Sequence, residues 1–299
     1  MSAATSSHSL RADALLLLVT LLAAAGWIFS KEALVGLPPQ LFIGIRFGFA
    51  GLILLALGWR SVRALDRRGW RQALGVGALF AAAIVCWIMG LHHARHLGEG
   101  AFITALGIVL VPVIARWVFG DRPPGSTWVA LPVAIAGFAC LSLQHGFRIE
   151  PGQWYFLGAA LFFALLFNIN THVVGRIPVV ALTGIQLLVV GVVALAVSVA
   201  LEDWPTVVAP SIWGWLLASM LLATVGRFYL QIRAQGMTSS SHAAVLMMLE
   251  PVWTALLAGW WFGETMGLLQ FAGCALIFLA LVINRWHWIA RLLKTALRV

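Results

Sequence analysis

Glu250 is the residue in this sequence best placed to do chemistry. It stands beside Pro251 in an apolar run, Leu246 to Gly273, that closes on Gly263-Glu264 and then restarts. A carboxylate in such surroundings is costly to ionise alone, so it calls for a partner, a cavity or a proton. Pro251 has no N–H to give and loosens a helix at that point. Glu250 lies about eight residues into the span 242–262, ~12 Å along a helix axis, near the middle of a membrane-length segment. Two functional roles follow, contact with a substrate amine or carriage of a coupling proton. A structural hydrogen bond to a neighbouring helix is the plain alternative.

Other residues could join it. Asn168 and His172 are four apart and share one helix face in a Phe/Leu/Ala background. They suit a polar substrate group, or interhelical hydrogen bonding. Trp87, Phe163 and Trp253 lie away from the ends of their runs and could stack on an aromatic ring or simply pack. Met247, next to Met248, offers an adaptable wall or ordinary packing. Thr104 opens a weaker copy of the Glu250 stretch, running to Gly137, and completes the candidate binding residues. Arg46 and Arg227 are cations inside apolar runs. Arg46 is near enough to an end to snorkel. Arg227 could meet an acid or a substrate carboxylate, or snorkel as well. Trp27, Lys31 and Arg227 are the candidate gating residues, with Lys31 and His172 at equivalent ends of two related segments.

Some chemistries are excluded or disfavoured. His92 and His96 have a spacing that permits metal ligation, with His93 and Glu99 nearby. They fall at a small-residue joint with no cysteine, and a solvated loop is the better reading. Cys86, Cys140 and Cys274 sit singly in apolar runs. There is no Walker loop, no strand followed by Gly-x-Gly-x-x-Gly and no nucleophile triad, which excludes an ATP-driven pump. The polar residues are spread over several depths, so a pathway fits better than an enzyme site. No cofactor, metal or nucleic acid is expected as a partner.

The elements that must hold these residues are membrane helices. Of 299 residues 62% are hydrophobic and 10% charged, against about 25% charged in soluble domains. Mean hydropathy is +0.98. Ten runs reach the length of a helical span: about 12–30, 40–59, 71–91, 98–119, 127–143, 152–173, 179–201, 212–233, 242–262 and 267–284. The joints carry turn residues such as Pro38-Pro39, Pro123-Pro124-Gly125 and Pro178. The first run is too long for a cleaved leader and reads as a retained span. An even number of spans puts both termini on one side. That side receives fourteen of the nineteen Lys and Arg residues, against three on the other, so both termini are expected in the cytoplasm. Gly44/Gly48 and Gly259/Gly263 are small-xxx-small pairs suited to close helix crossings.

Five spans precede the middle of the chain and five follow it, so two related halves would be inverted. Setting Asp121 on Glu264 puts Gly120 on Gly263. An offset of 141 sets Trp27 on Asn168 and Lys31 on His172, and an offset of 143 sets Ala101 on Ala244. The halves are expected at 1–148 and 149–299, the second carrying a basic tail.

Several features together carry a resemblance. They are a first span ending near Trp27–Lys31, a Pro-Pro turn, the Arg46-Phe47 pair, the joint His96-Leu97-Gly98-Glu99-Gly100-Ala101, Glu250-Pro251, and Gly-Asp/Glu closing each half. The sequence resembles the EamA branch of the drug/metabolite transporter superfamily over essentially its whole length. Within that branch it is similar to exporters of aromatic amino acids. Asp121, where the family usually has Glu, marks the first half as the more drifted copy. The resemblance implies an all-α membrane protein with ten transmembrane helices in two inverted five-helix repeats around a central cavity. It further implies a multi-pass protein of the cell inner membrane that exports neutral and aromatic amino acids by alternating access. The partners expected are such a small-molecule substrate, the lipid bilayer and, as a candidate coupling ion, the proton; the chain is expected to act as a monomer. Another small metabolite or a lipophilic drug, such as a purine or nucleotide sugar, is the alternative cargo.

Overall fold

The computed structural model describes residues 2–93, 97–142, 151–263 and 267–296. Every regular element among them is helical. The chain runs through α1 (Ser2–Ala33), α2 (Pro39–Leu57), the short α3 (Trp59–Arg63), α4 (Arg67–His93), α5 (Leu97–Trp117) and α6 (Gly125–Ser142). It continues through α7 (Pro151–Val173) and α8 (Val179–Leu201). One rod is built from α9 (Pro210–Met220), a π-helical turn at Leu221–Gly226 and α10 (Arg227–Gln235). Another is built from α11 (Ser240–Met247) and α12 (Glu250–Phe262), and α13 (Leu268–Ala296) is last.

A helix lies over each of the ten apolar runs. Among the described residues seven helical rods are long and apolar enough to cross a membrane, and shorter apolar stretches lie at Ile103–Trp117, Gly125–Cys140 and Phe271–Asn284. Two ends differ from expectation. Helix α1 begins at Ser2 and α13 continues to Ala296, because neither flank holds a Gly or Pro to stop a helix. Pro112 sits inside an unbroken α5, whereas its counterpart stretch breaks between Met247 and Glu250.

The helices pack in pairs. α2 lies along α8 and α6 along α13; α4 and α5 both pack on α7, and α1 packs on α9, α10 and α12. Glycine permits the closest of these approaches: a Cβ on Gly191 of α8 would collide with the backbone of Gly48 on α2. Without a hydrophobic drive between helices in lipid, such small-residue contacts are what van der Waals packing needs. Gly44 serves the same crossing, against Leu195. Gly263, of the other expected pair, makes no such approach: a Cβ there would meet nothing, and its φ of 68° makes it a left-handed helix stop. Gly120 ends α5 in the same way at φ 73°.

Polar groups tie the pairs. Glu202 follows α8 and caps α2, accepting the backbone N–H of Gln40 at 2.8 Å and of Leu41 at 2.9 Å, while Ser198 donates to it at 2.8 Å. This satisfies two orphan donors at a helix start and places a negative charge there. Thr127 of α6 donates to Asn284 of α13 at 2.9 Å, and Gln186 of α8 to Asn170 of α7 at 2.8 Å.

Candidate functional site

Two interrupted rods position the charged centre. In α11–α12 the backbone tightens at Met248 and Leu249, whose N–H groups bond three residues back, to Val245 and Leu246. Pro251 then falls at the second position of α12, where its missing N–H costs nothing. Glu250 is therefore the first residue of a new helix, and its carboxylate sits at the positive end of the α12 dipole. In the neighbouring rod the π-helical turn ends at Gly226, and Arg227 opens α10. π-turns inside α-helices recur at functional sites because they re-aim the residues that follow.

The two joints bring their charges together. Arg227 Nη2 donates to Glu250 Oε2 at 3.3 Å, with 20% of each side chain exposed. Trp27 Nε1 of α1 donates to the other oxygen at 3.4 Å. The Trp27 ring meets Trp87 of α4 edge-on, 5.8 Å between centroids. Arg227 also lies over the Phe228 ring, 4.5 Å from its centroid. Phe228 begins an aromatic chain through Phe80 at 5.3 Å to Phe163 at 6.4 Å, with Phe47 touching both Phe80 and Phe228. The result is an ion pair walled by indoles and phenyl rings.

Arg46 belongs to this centre and does not snorkel. Its guanidinium turns inward to the Thr224 hydroxyl, to Ser30 Oγ at 2.9 Å and to the Ala223 carbonyl at 3.3 Å. It thus joins α2 to α1 and to the π-helical turn. The physical reason is local: the widened turn presents a hydroxyl and a carbonyl, and Gly26 lets α1 come close, since a Cβ there would lie 2.6 Å from that of Ala223. Arg46 stacks over Phe47 at 5.4 Å. Among the described residues no carboxylate pairs with it.

Other candidates lie elsewhere or serve packing. Asn168 is fully buried and donates to the carbonyls of Val111, on α5, and Ala164, both at 3.0 Å, which is interhelical bonding. His172 Nδ1 donates to the Asn168 carbonyl at 2.9 Å. Its Nε2 lies 3.5 Å from Asp121 and its ring stacks on Phe119 at 4.6 Å, at a half-open end of the bundle. Met247 and Met248 are buried in the packed cluster of Leu16, Phe138 and Ile277. Trp253 lies one turn beyond Glu250 with its Nε1 buried and unpartnered. Thr104 lies half-buried on α5. Lys31 rests over the Phe262 ring at 3.9 Å, beside a Glu32–Trp261 hydrogen bond of 3.0 Å. His96 and Glu264 fall outside the described residues. Among the described residues no three His, Cys, Asp or Glu side chains gather as metal ligands. An exposed apolar groove lined by Val129, Leu279 and Trp286, on α6 and α13, shares no residue with the charged centre.

Comparison with known proteins gives one consistent picture. The model of the EamA-like transporter family matches residues 10–143 and again 150–286. An uncharacterized transporter of Archaeoglobus fulgidus is 28% identical over 92% of this chain and 85% of its own length. The Bacillus subtilis uncharacterized transporter YwfM is 26% identical, covering 82% of this chain and 83% of its own. The uncharacterized inner membrane transporter YedA of Escherichia coli is 25% identical over 82% of this chain and 81% of its own. A solved crystal structure superposes with a TM-score of 0.81 over 95% of this chain and 98% of its own, at 18% identity, a likeness of fold alone.

Proposed function

As the chain belongs to the EamA-like transporter family, a family of multi-pass membrane transporters and not of enzymes, we propose that it is an inner-membrane secondary transporter exporting aromatic and other neutral amino acids by alternating access. The observation that carries this reading is the Arg227–Glu250 pair at the joints of two interrupted rods, with Trp27 bonded to it and Trp87 against Trp27. A zwitterion can enter such a pair, its carboxylate on Arg227 and its ammonium on Glu250, with each protein charge keeping an opposite neighbour. Its side chain would lie on the indoles, with the row of Phe228, Phe80 and Phe163 behind, while Met247 and Trp253 lie in their own packed cluster. The amino acid itself rests on the resemblance to the aromatic amino acid exporter YddG.

Two inverted repeats, 1–148 and 149–299, give ten spans with both termini cytoplasmic in this reading. What supports it is the correspondence between halves. The connections Ala33 to Pro39 and Val173 to Val179 have equal length. Gly120 and Gly263 end α5 and α12 alike. Exchanging the halves turns the α4–α7 contact into that of α1 with α9 and α10, and α5–α7 into α1–α12. The two ends are closed in a similar manner: Lys31 on Phe262 closes α1 onto α12, and His172, one residue past the position that matches Lys31, closes α7 onto Phe119 after α5. These are the two gates, and alternate opening of them moves the substrate. Trp27 couples the gate at Lys31 to the charged pair.

Efflux of labelled phenylalanine from proteoliposomes, with and without a pH gradient, tests the proposal. Wild type should exceed empty vesicles. A gradient effect abolished by Glu250→Gln would assign proton coupling to Glu250; equal rates would assign facilitated diffusion. No flux of any neutral amino acid through folded protein would overturn the substrate class in favour of another metabolite or a lipophilic drug.

A further inference from the structure

The charged centre is not balanced. Two guanidinium groups stand by one carboxylate, which pairs with Arg227 and leaves Arg46 on neutral partners. Phe47 and Phe228 touch at 5.8 Å, and each carries one of the two cations on its ring. Hydrogen-bond donors are in surplus too. Both Glu250 oxygens are engaged, while Arg227 Nε is buried with no acceptor. Buried donors are normally satisfied, and a half-buried cation at this depth normally has a counter-ion. What the centre lacks is a single negative charge with good acceptors.

We propose that Arg46 and Arg227 together make a carboxylate the obligatory handle of the substrate, with Arg46 determining specificity by setting the excess positive charge. This deepens the transporter reading above and rests on it. A monoanion neutralises an excess of one, and the flat guanidinium fork of Arg227 matches a planar carboxylate. Glu250 then chooses among carboxylates, favouring those that also bear an ammonium group. An amine without a carboxylate adds a third cation to the centre and is rejected. Arg46 acts through charge, because its own N–H groups stay on Ser30, Thr224 and Ala223.

Binding of three probes to the purified full chain tests this: phenylalanine, 3-phenylpropanoate, which has only the carboxylate, and 2-phenylethylamine, which has only the amine. Quenching of tryptophan fluorescence reports each dissociation constant. Wild type should bind 3-phenylpropanoate at least roughly tenfold more tightly than 2-phenylethylamine. Arg46→Gln should cut that ratio roughly tenfold, and Arg46→Lys, which keeps the charge, should preserve it to within about threefold. A ratio near one in wild type overturns the proposal without any variant, so poor folding of Arg46→Gln does not shelter it. A ratio unmoved by Arg46→Gln, or lost equally in Arg46→Lys, also overturns it, since the residue would then only hold the helices together. Tight 3-phenylpropanoate binding with no phenylalanine binding or flux upholds the carboxylate handle and sinks the amino acid reading. Phenylalanine flux with equal binding of the amine does the reverse.

Discussion

Neutralising Glu250 should cost more stability than neutralising Arg227, although the two are partners. At 3.3 Å and an effective dielectric of about 20, their attraction is about 5 kcal/mol before desolvation. Desolvation offsets most of that, and what a variant measures is the charge left behind. For a fully buried pair that is about 3–5 kcal/mol; with 20% of each side chain exposed, about 2 kcal/mol is the fitting figure. Arg46 then separates the two variants. Glu250→Gln leaves two guanidinium groups facing each other, which raises its cost to about 3 kcal/mol. Arg227→Gln leaves Arg46 and Glu250, of opposite sign, which lowers its cost to about 1 kcal/mol. The double variant should be less destabilised than the sum, by about 1–2 kcal/mol. Equilibrium unfolding in mixed micelles, titrated with a denaturing detergent, gives all four free energies. Strict additivity, or an Arg227→Gln variant less stable than Glu250→Gln, would refute the three-charge account.

Further predictions concern packing, capping and gates. Glu202→Gln removes the anion that accepts the N–H groups of Gln40 and Leu41 and should lower stability by about 1–2 kcal/mol in the same unfolding assay, with phenylalanine affinity unchanged. Gly191→Leu drives a side chain into the Gly48 backbone and should cost about 3 kcal/mol or abolish folding, read as loss of the monodisperse peak in size exclusion. Phe262→Ala removes the ring beneath Lys31, and Phe119→Ala the ring stacked on His172, each contact worth about 1 kcal/mol. Spin labels at Val35 and Trp260 should move apart only in the first variant, and labels at Val118 and Gly175 only in the second. Identical distance changes at both ends in either variant would deny the gates their independence.

Much of the helical layout was legible because hydropathy reports length and apolarity directly: runs such as 152–173 and 179–201 end within a residue of α7 and α8. The break beside Glu250 was legible from Pro251, since a missing donor acts locally. The register between halves was less so. If the equal connections after Ala33 and Val173 are matched, the offset is 140 and Lys31 falls on Thr171; an offset of 141 sets it on His172. One residue around a helix is a rotation of about 100°, and matches such as Leu21 on Leu161 or Ala24 on Ala164 are too commonplace in apolar helices to fix it. Asn168 and His172 share a face, as their spacing requires, but that face meets Val111 and Asp121 rather than Glu250. Spacing gives a face and not its neighbour. Arg46 was misread because depth alone suggests snorkelling, while its true environment depends on a π-helical turn about 180 residues away, formed by Leu-Leu-Ala-Thr-Val-Gly with no distinctive pattern. The one usable signal was the count of intramembrane charges, two arginines against one glutamate.

The central claim is that the Arg227–Glu250 centre binds and carries an amino acid. Counterflow tests it most directly, because exchange needs only binding and alternating access and no driving gradient. Vesicles loaded with unlabelled phenylalanine and diluted into a trace of labelled phenylalanine should transiently accumulate label with wild type. They should fail to do so with the Arg227→Gln/Glu250→Gln double variant, itself shown to be folded by its unfolding midpoint. Undiminished counterflow in the folded double variant, or none in wild type with any neutral amino acid, would contradict the account.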